Sequence, residues 1–409
     1  MLKRKKILSI PNFELFMVLA LVFTLPLFKL LSTYFVAAWI ILFFLQKENL
    51  HQIRNVFKNE GLILSIIFFF IHLIWLISTQ NMKSGLFDIQ VKLSLLVFPF
   101  LATTVSFNKN QLNRNFVFLF FIFGNFIAQL VSIANVLYEK YILGNEVSFF
   151  YNDISLFLHP SYSALYIIIS IILGIYLFTT INRRLVKFFL IIYILSSVIF
   201  VFLLSSKSGI LSLFVIMFIG IALLFAKLNI KKWIKFTTIF TICLLLVSSF
   251  FINSRLKHSM SVLKENITNN FLLNPNKYSD SNADRIYIWK SSIELIEQNW
   301  LSGVGTGDVK DELLNQYQKN NLTDAYNKKL NAHNQYLETF IGFGLFGFLI
   351  LFSLFVIPLF YAIKKSNYVL TSFLIIVAFN FLFESMLNTQ AGVVFFAFFY
   401  NFLAKKEYL

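Results

Sequence analysis

SNADRIYIWKSSIELIEQNWLSGVGTGDVKDELLNQYQKNNLTDAYNKKLNAHNQYLETFIGFGLFG, from Ser281 to Gly347, is a polar stretch in a chain that is otherwise almost wholly apolar. Its first two thirds intersperse charges with a Gly-rich turn and a single His, and it then passes directly into a long apolar run. A sequence of this kind sets a polar layer against a membrane.

Outside that stretch, composition decides the class. Of 409 residues, 58% are hydrophobic and 13% charged, which belongs to membrane proteins and not to soluble domains. At ~20 apolar residues per crossing, the runs predict about twelve helical spans. They fall near 13–29, 32–46, 61–79, 85–105, 112–137, 161–180, 185–204, 208–226, 233–252, 334–363, 368–387 and 389–404. The expected fold is an all-α polytopic membrane protein: an N-terminal membrane bundle over 1–252, a large, partly helical loop over 253–333, and C-terminal membrane helices over 334–409. The lone Cys243 lies in a predicted span, so no disulfide framework exists. Lys3, Arg4, Lys5 and Lys6 precede an apolar run without a small-residue cleavage site, so the first span is expected to remain as an anchor.

Positive charge orients the bundle. With a cytoplasmic N-terminus, the inner segments hold twenty Lys and Arg, among them Lys47, Arg54, Lys58, Arg114, Arg183, Arg184, Lys364 and Lys365. The short outer loops hold four: Lys29, Lys83, Lys140 and Lys207. Basic residues collect on cytoplasmic loops, so both termini are expected inside and the large loop outside. The net charge of +16 then faces anionic membrane lipids and calls for no nucleic-acid partner.

The extracytoplasmic side gathers the chemistry. From Asp284 to Trp300, the apolar residues Ile286, Trp289, Ile293, Ile296 and Trp300 recur at helical spacing, predicting an amphipathic lid or surface helix. Arg285 sits in its first turn, suited to a phosphate, with Asp284 or Asp280 as the local alternative partner. Gly303-Val304-Gly305-Thr306-Gly307-Asp308 lacks the Lys-Ser/Thr of a P-loop and reads as a tight turn whose Thr306 or Asp308 starts the next helix. His333 stands where the chain re-enters the membrane as His333-Asn334-Gln335-Tyr336-Leu337-Glu338, a position suited to proton abstraction or anion contact. Gly342, Gly344 and Gly347 follow, letting helices approach closely. Ser205-Ser206-Lys207-Ser208-Gly209 presents a cation with hydroxyls, and His159-Pro160-Ser161-Tyr162-Ser163 closes another outer loop. Asp88 and Lys92 share a helix face as a mutual pair, and Glu384 lies near the outer end of its span.

This combination resembles the O-antigen ligase family of bacterial membrane glycosyltransferases, whose signature many O-antigen and exopolysaccharide polymerases share. The resemblance rests on Arg285 with Trp289, the GVGTG turn, the His333–Glu338 run with its glycines, and the late FLFESMLNTQAGVVFFAFFYNFL segment. It implies metal-independent transfer, without a cofactor, of a glycan from undecaprenyl-diphosphate to lipid A-core oligosaccharide on the periplasmic face of the inner membrane. In a polymerase the acceptor is a second lipid-linked glycan. His333 and Arg285 take the catalytic positions, and Lys207, Arg285, Ser206, Asn334 and Glu338 the substrate-binding ones. Where the family carries Arg in the serine-rich turn this chain has Lys207, which keeps the charge and loses the planar fork. A lipid-linked oligosaccharide transporter is the competing class, although no internal repeat or midplane binding group supports it.

Overall fold

The computed structural model describes residues 10–104, 111–227, 237 and 281–405. Apart from residue 237, the predicted span at 233–252, with Cys243, and the loop up to Asp280 lie outside the described residues, as do Lys3 to Lys6. Among the described residues the chain is helical and has no strand. In order run α1 (Ile10–Thr24), α2 (Lys29–Leu45), α3 (Lys47–Val56), α4 (Glu60–Ile74), α5 (Met82–Leu101), α6 (Gln111–Tyr141), α7 (Pro160–Thr180), α8 (Arg184–Leu203) and α9 (Lys207–Lys227). Then come α10 (Ser281–Gln298), α11 (Val309–Lys319), α12 (Thr323–Asn327), α13 (Gln335–Lys364), α14 (Tyr368–Phe381) and α15 (Gln390–Leu403).

Each other predicted span falls on one of these helices, but not all are full crossings. Among the described residues six helices are long and apolar enough to span a membrane, or seven if the pair formed by α2 and α3, bent by 104°, is one broken span. Within α1, α9, α14 and α15 the apolar helices are shorter. The span expected over 368–387 stops at Phe381, and the chain spends 382–389 in an irregular connection with a single 3-10 turn at Met386–Asn388. Irregular backbone in a membrane bundle is tolerated where protein or an aqueous cavity satisfies it. Here Gln335 Oε1 accepts from Leu387 N at 2.7 Å and Ser385 Oγ accepts from Asn334 N at 3.2 Å.

The phenylalanine-rich α15 forms the axis of the bundle, with Gly392 through Leu403 all buried. Phe395 stacks on Tyr166 of α7 at 4.2 Å between ring centroids, and Phe399 meets Phe121 of α6 at 4.7 Å. Around it pack α5, α7, α13 and α14, with α1 and α2 as a hairpin against α6. The perimeter is apolar as well: Ile77 is 89% exposed, Leu185 85% and Leu30 72%. Such residues at such exposure identify lipid, not water, as the solvent of this surface. One end of the bundle collects Asn59, whose Nδ2 donates to Ala404 O at 3.2 Å, and Arg114, which bonds Tyr176. The opposite end collects α10 to α12 and the connection at 382–389.

Candidate functional site

The polar segment is held down by a break in α13. Gly344 has φ 59° and ψ −154°, a conformation open to glycine and costly for other residues, and it interrupts the long helix. The break frees carbonyls, and the GVGTG turn supplies their donors: Val304 N donates to Ile341 O at 2.9 Å and Gly305 N to Gly342 O at 3.0 Å. Leu345 N returns a bond to Trp300 O at 2.9 Å. A Cβ on Gly344 would lie 2.3 Å from Leu301 O, so backbone meets backbone here. Asp308 precedes α11 but does not cap it with its side chain. Its carboxylate instead accepts from Gln80 N and Asn81 N, both at 2.7 Å, and Thr306 Oγ1 donates to His72 O at 2.6 Å. The expected turn is therefore a clamp between the polar segment and the link joining α4 and α5.

α10 also faces differently from its predicted stripe. It buries Ile288, Ser291, Ser292 and Leu295, while Ile293 and Trp300 point outward. The serines explain the rotation. Ser291 Oγ accepts from Asn320 Nδ2 at 2.8 Å and Ser292 Oγ donates to Ile288 O, so this small, satisfied face packs more closely than a bulky apolar one.

On this platform the reactive side chains meet. Arg285 donates to Glu384 Oε1 at 3.1 Å, which gives it a partner in the irregular connection; Asp280 and the side chain of Asp284 lie outside the described residues. Ser161, in the first turn of α7, donates to the same oxygen at 2.9 Å. His333 Nδ1 lies 3.7 Å from Glu384 Oε2, too far for a hydrogen bond and near enough for charge to act. Burial pushes the Glu384 carboxyl up; His333, the Arg285 guanidinium and His159 outweigh it and hold the carboxyl below the usual carboxylate range. His333 itself adopts φ 45°, unusual for a residue with a Cβ. It is held there by its own N–H on Asn331 Oδ1 at 3.0 Å, and by Trp289 Nε1 donating to Ala332 O at 3.0 Å.

Glu338 forms the adjoining wall. It is buried and accepts from Ala332 N at 3.0 Å, Asn388 Nδ2 at 2.7 Å and Ser385 Oγ at 3.3 Å. Behind that wall lies a cavity of about 360 Å³ lined by Asp88, Lys92, Lys310, Lys329, Asn331 and Glu338 among others. The predicted pair of Asp88 and Lys92 forms within it.

Residues 192–352 match the family model described as O-antigen ligase. The match covers 161 of the 409 residues and makes this stretch similar to the O-antigen ligase family. No curated protein matches the sequence. Members of this family are ligases or polymerases that act on lipid-linked glycans. The matched stretch includes Lys207, Arg285, the GVGTG turn, His333 and Glu338, while Glu384 and Ser161 complete the cluster from outside it.

The remaining expected residues fall on the same end of the bundle. Asn334 caps α13, its Oδ1 accepting from Tyr336 N and Leu337 N. Ser206 Oγ accepts from Gly209 N at 3.2 Å in the first turn of α9, so both side chains are committed to backbone. Ser212 Oγ, farther along α9, accepts from Asn380 Nδ2 at 2.8 Å. Lys207 precedes Ser212 by five residues, about 7.5 Å of helix, and Glu384 follows Asn380 by four, which sets Lys207 and Glu384 at a similar level. Sequence reasoning missed Ser161 as a partner of Glu384, and Ser385 and Asn388 altogether. Only their place in a break between two apolar runs signals them.

Proposed function

We propose that this chain is a membrane glycosyltransferase of the ligase kind, moving a glycan from an undecaprenyl-diphosphate carrier to lipid A-core oligosaccharide without a metal. The reaction then takes place at the periplasmic face of a bacterial inner membrane. The observation that carries this reading is that Arg285 and His333, far apart in the stretch similar to O-antigen ligases, meet at one carboxylate, Glu384, supplied from beyond it.

The chemistry assigned to the cluster is a single displacement. An acceptor hydroxyl attacks the anomeric carbon, the bond from that carbon to the diphosphate oxygen breaks, and the lipid diphosphate departs with the electron pair. Arg285 and Lys207 stabilise the charge developing on that oxygen. Arg285 spends one N–H direction on Glu384 and keeps others for phosphate. His333 accepts the hydroxyl proton, with the Glu384 carboxylate 3.7 Å from its Nδ1. Glu338, occupied by three donors, serves as a wall that fixes Ala332 and Ser385 on either side of the cluster. Ser206 and Asn334 act through the helix starts that they cap.

The test is transfer by purified protein from a lipid-diphosphate-linked glycan. His333→Ala is expected to lower turnover ~100-fold or more, within the usual range for a lost acid–base group. Arg285→Ala is expected to lose a similar factor, with Arg285→Lys recovering part of it. Wild-type turnover by His333→Ala at equal abundance would remove His333 from the mechanism.

A further inference from the structure

The cavity behind Glu338 has a composition that the displacement does not use. We propose that it is a binding subsite for an acidic sugar residue, one carrying a carboxylate or a phosphate, of a glycan engaged in transfer. The proposal rests on the glycosyltransferase reading and names the substrate class that the site selects.

Charge bookkeeping carries the first part of the argument. Lys92 is 3% exposed and its ammonium is paired with Asp88. Glu338 is saturated by Ala332, Ser385 and Asn388. The deep wall is therefore satisfied by itself. Lys310, at the start of α11, and Lys329, just after α12, also line the cavity and form no ion pair among the described residues. With Lys92 and Asp88 cancelling, two ammonium groups stand against the one carboxylate of Glu338, itself already held by three donors, and this positive excess favours an anion. Lys329 has φ 51°, so its backbone is held in an unusual conformation at that position.

Place and size carry the second. Glu338 binds Ala332 N and Ser385 Oγ, and the chain neighbours of those residues are His333 and Glu384, so cavity and reactive cluster share one wall. At about 360 Å³ the cavity lies in the lower part of the range of small-ligand sites. Asn331, Asn388 and Ser84 offer amide and hydroxyl groups to sugar hydroxyls, and Phe87 and Phe343 offer apolar surface to the C–H face of a ring. An anionic sugar uses all three kinds of lining.

The experiment measures binding apart from transfer. Full-length protein in neutral detergent is mixed with digalacturonate or with its neutral counterpart galactobiose, and saturation transfer to each disaccharide is read by NMR. The expected result is at least a fivefold preference for digalacturonate, lost in the Lys310→Ala/Lys329→Ala double variant and kept in Arg285→Ala. Equal signals from the two sugars, or an acidic preference that survives the double variant, would overturn the subsite. Steady-state transfer then separates the two sources of such a sugar. An acceptor KM raised about tenfold in the double variant places the acidic residue in the acceptor, and a donor KM raised by that factor places it in the donor. Both KM values unmoved would sever the cavity from the reaction. A protein that transfers no glycan yet keeps the binding preference would sink the glycosyltransferase reading alone.

Discussion

Glu384 organises the site at the scale of single residues, since it takes Arg285, Ser161 and the field of His333 on one carboxylate. Its carboxyl is held below the usual carboxylate range, so the unfolded chain binds this proton at a higher pH than the folded one does. Its contribution to stability is therefore complete above the ordinary carboxylate pKa and is lost as pH falls through the lowered one. Thermal unfolding in detergent from neutral to acid pH is expected to show this loss in the wild type, with a flatter profile for Glu384→Gln over the same window. Equal slopes would show that Glu384 carries no such linkage. Arg285 and His333 were legible as types and positions, because a guanidinium in a first turn and a His at a membrane re-entry are informative alone. Their meeting point was not, since Glu384 is separated from Arg285 by 99 positions and nothing local announces the pair.

Elements were legible where hydrophobic period and length decide them, and illegible where backbone pairing does. The glycines after His333 were read as helix-packing residues, whereas Gly344 breaks α13 so that the GVGTG turn can bond Ile341 and Gly342. Replacing Gly344 by Ala imposes a left-handed backbone on a residue with a Cβ and drives that Cβ toward Leu301 O. A loss of about 1–3 kcal/mol in unfolding free energy is expected, with faster proteolysis of the segment from α10 to α12. An unchanged melting point would mean that the turn docks without the break. Asp308 was read as a helix start, but its carboxylate caps the neighbouring link instead. Asp308→Ala is expected to speed amide hydrogen exchange at Gln80 and Asn81 and to cost about 2 kcal/mol, the scale of lost charge-assisted bonds. Protection that stays at the wild-type level would refute the clamp. The span placed over 368–387 overran its helix because Met386 and Leu387 are as apolar as a helix interior, and only three-dimensional context shows that they lie in the turn beside the site.

For the molecule as a whole, hydropathy predicted the class, and the bundle's apolar perimeter agrees with it. Asn59, Arg114 and Ala404 sit at one end of the bundle and the reactive cluster at the other, and which end faces the cytoplasm is a matter for labelling. With Cys243 changed to Ser, Lys328→Cys is expected to react with an impermeant maleimide in intact spheroplasts and Lys364→Cys only after lysis. The reverse pattern would invert the bundle and move the chemistry to the cytoplasm. Everything proposed for the site turns on glycan transfer by this bundle. Its most direct test reconstitutes the protein with an undecaprenyl-diphosphate-linked glycan and offers lipid A-core and a second lipid-linked glycan as separate acceptors. Product on lipid A-core is expected, abolished by His333→Ala and Arg285→Ala. Lengthened lipid-linked chains would make the protein a polymerase, and labelled glycan that crosses the bilayer without any transfer would contradict the enzyme reading altogether.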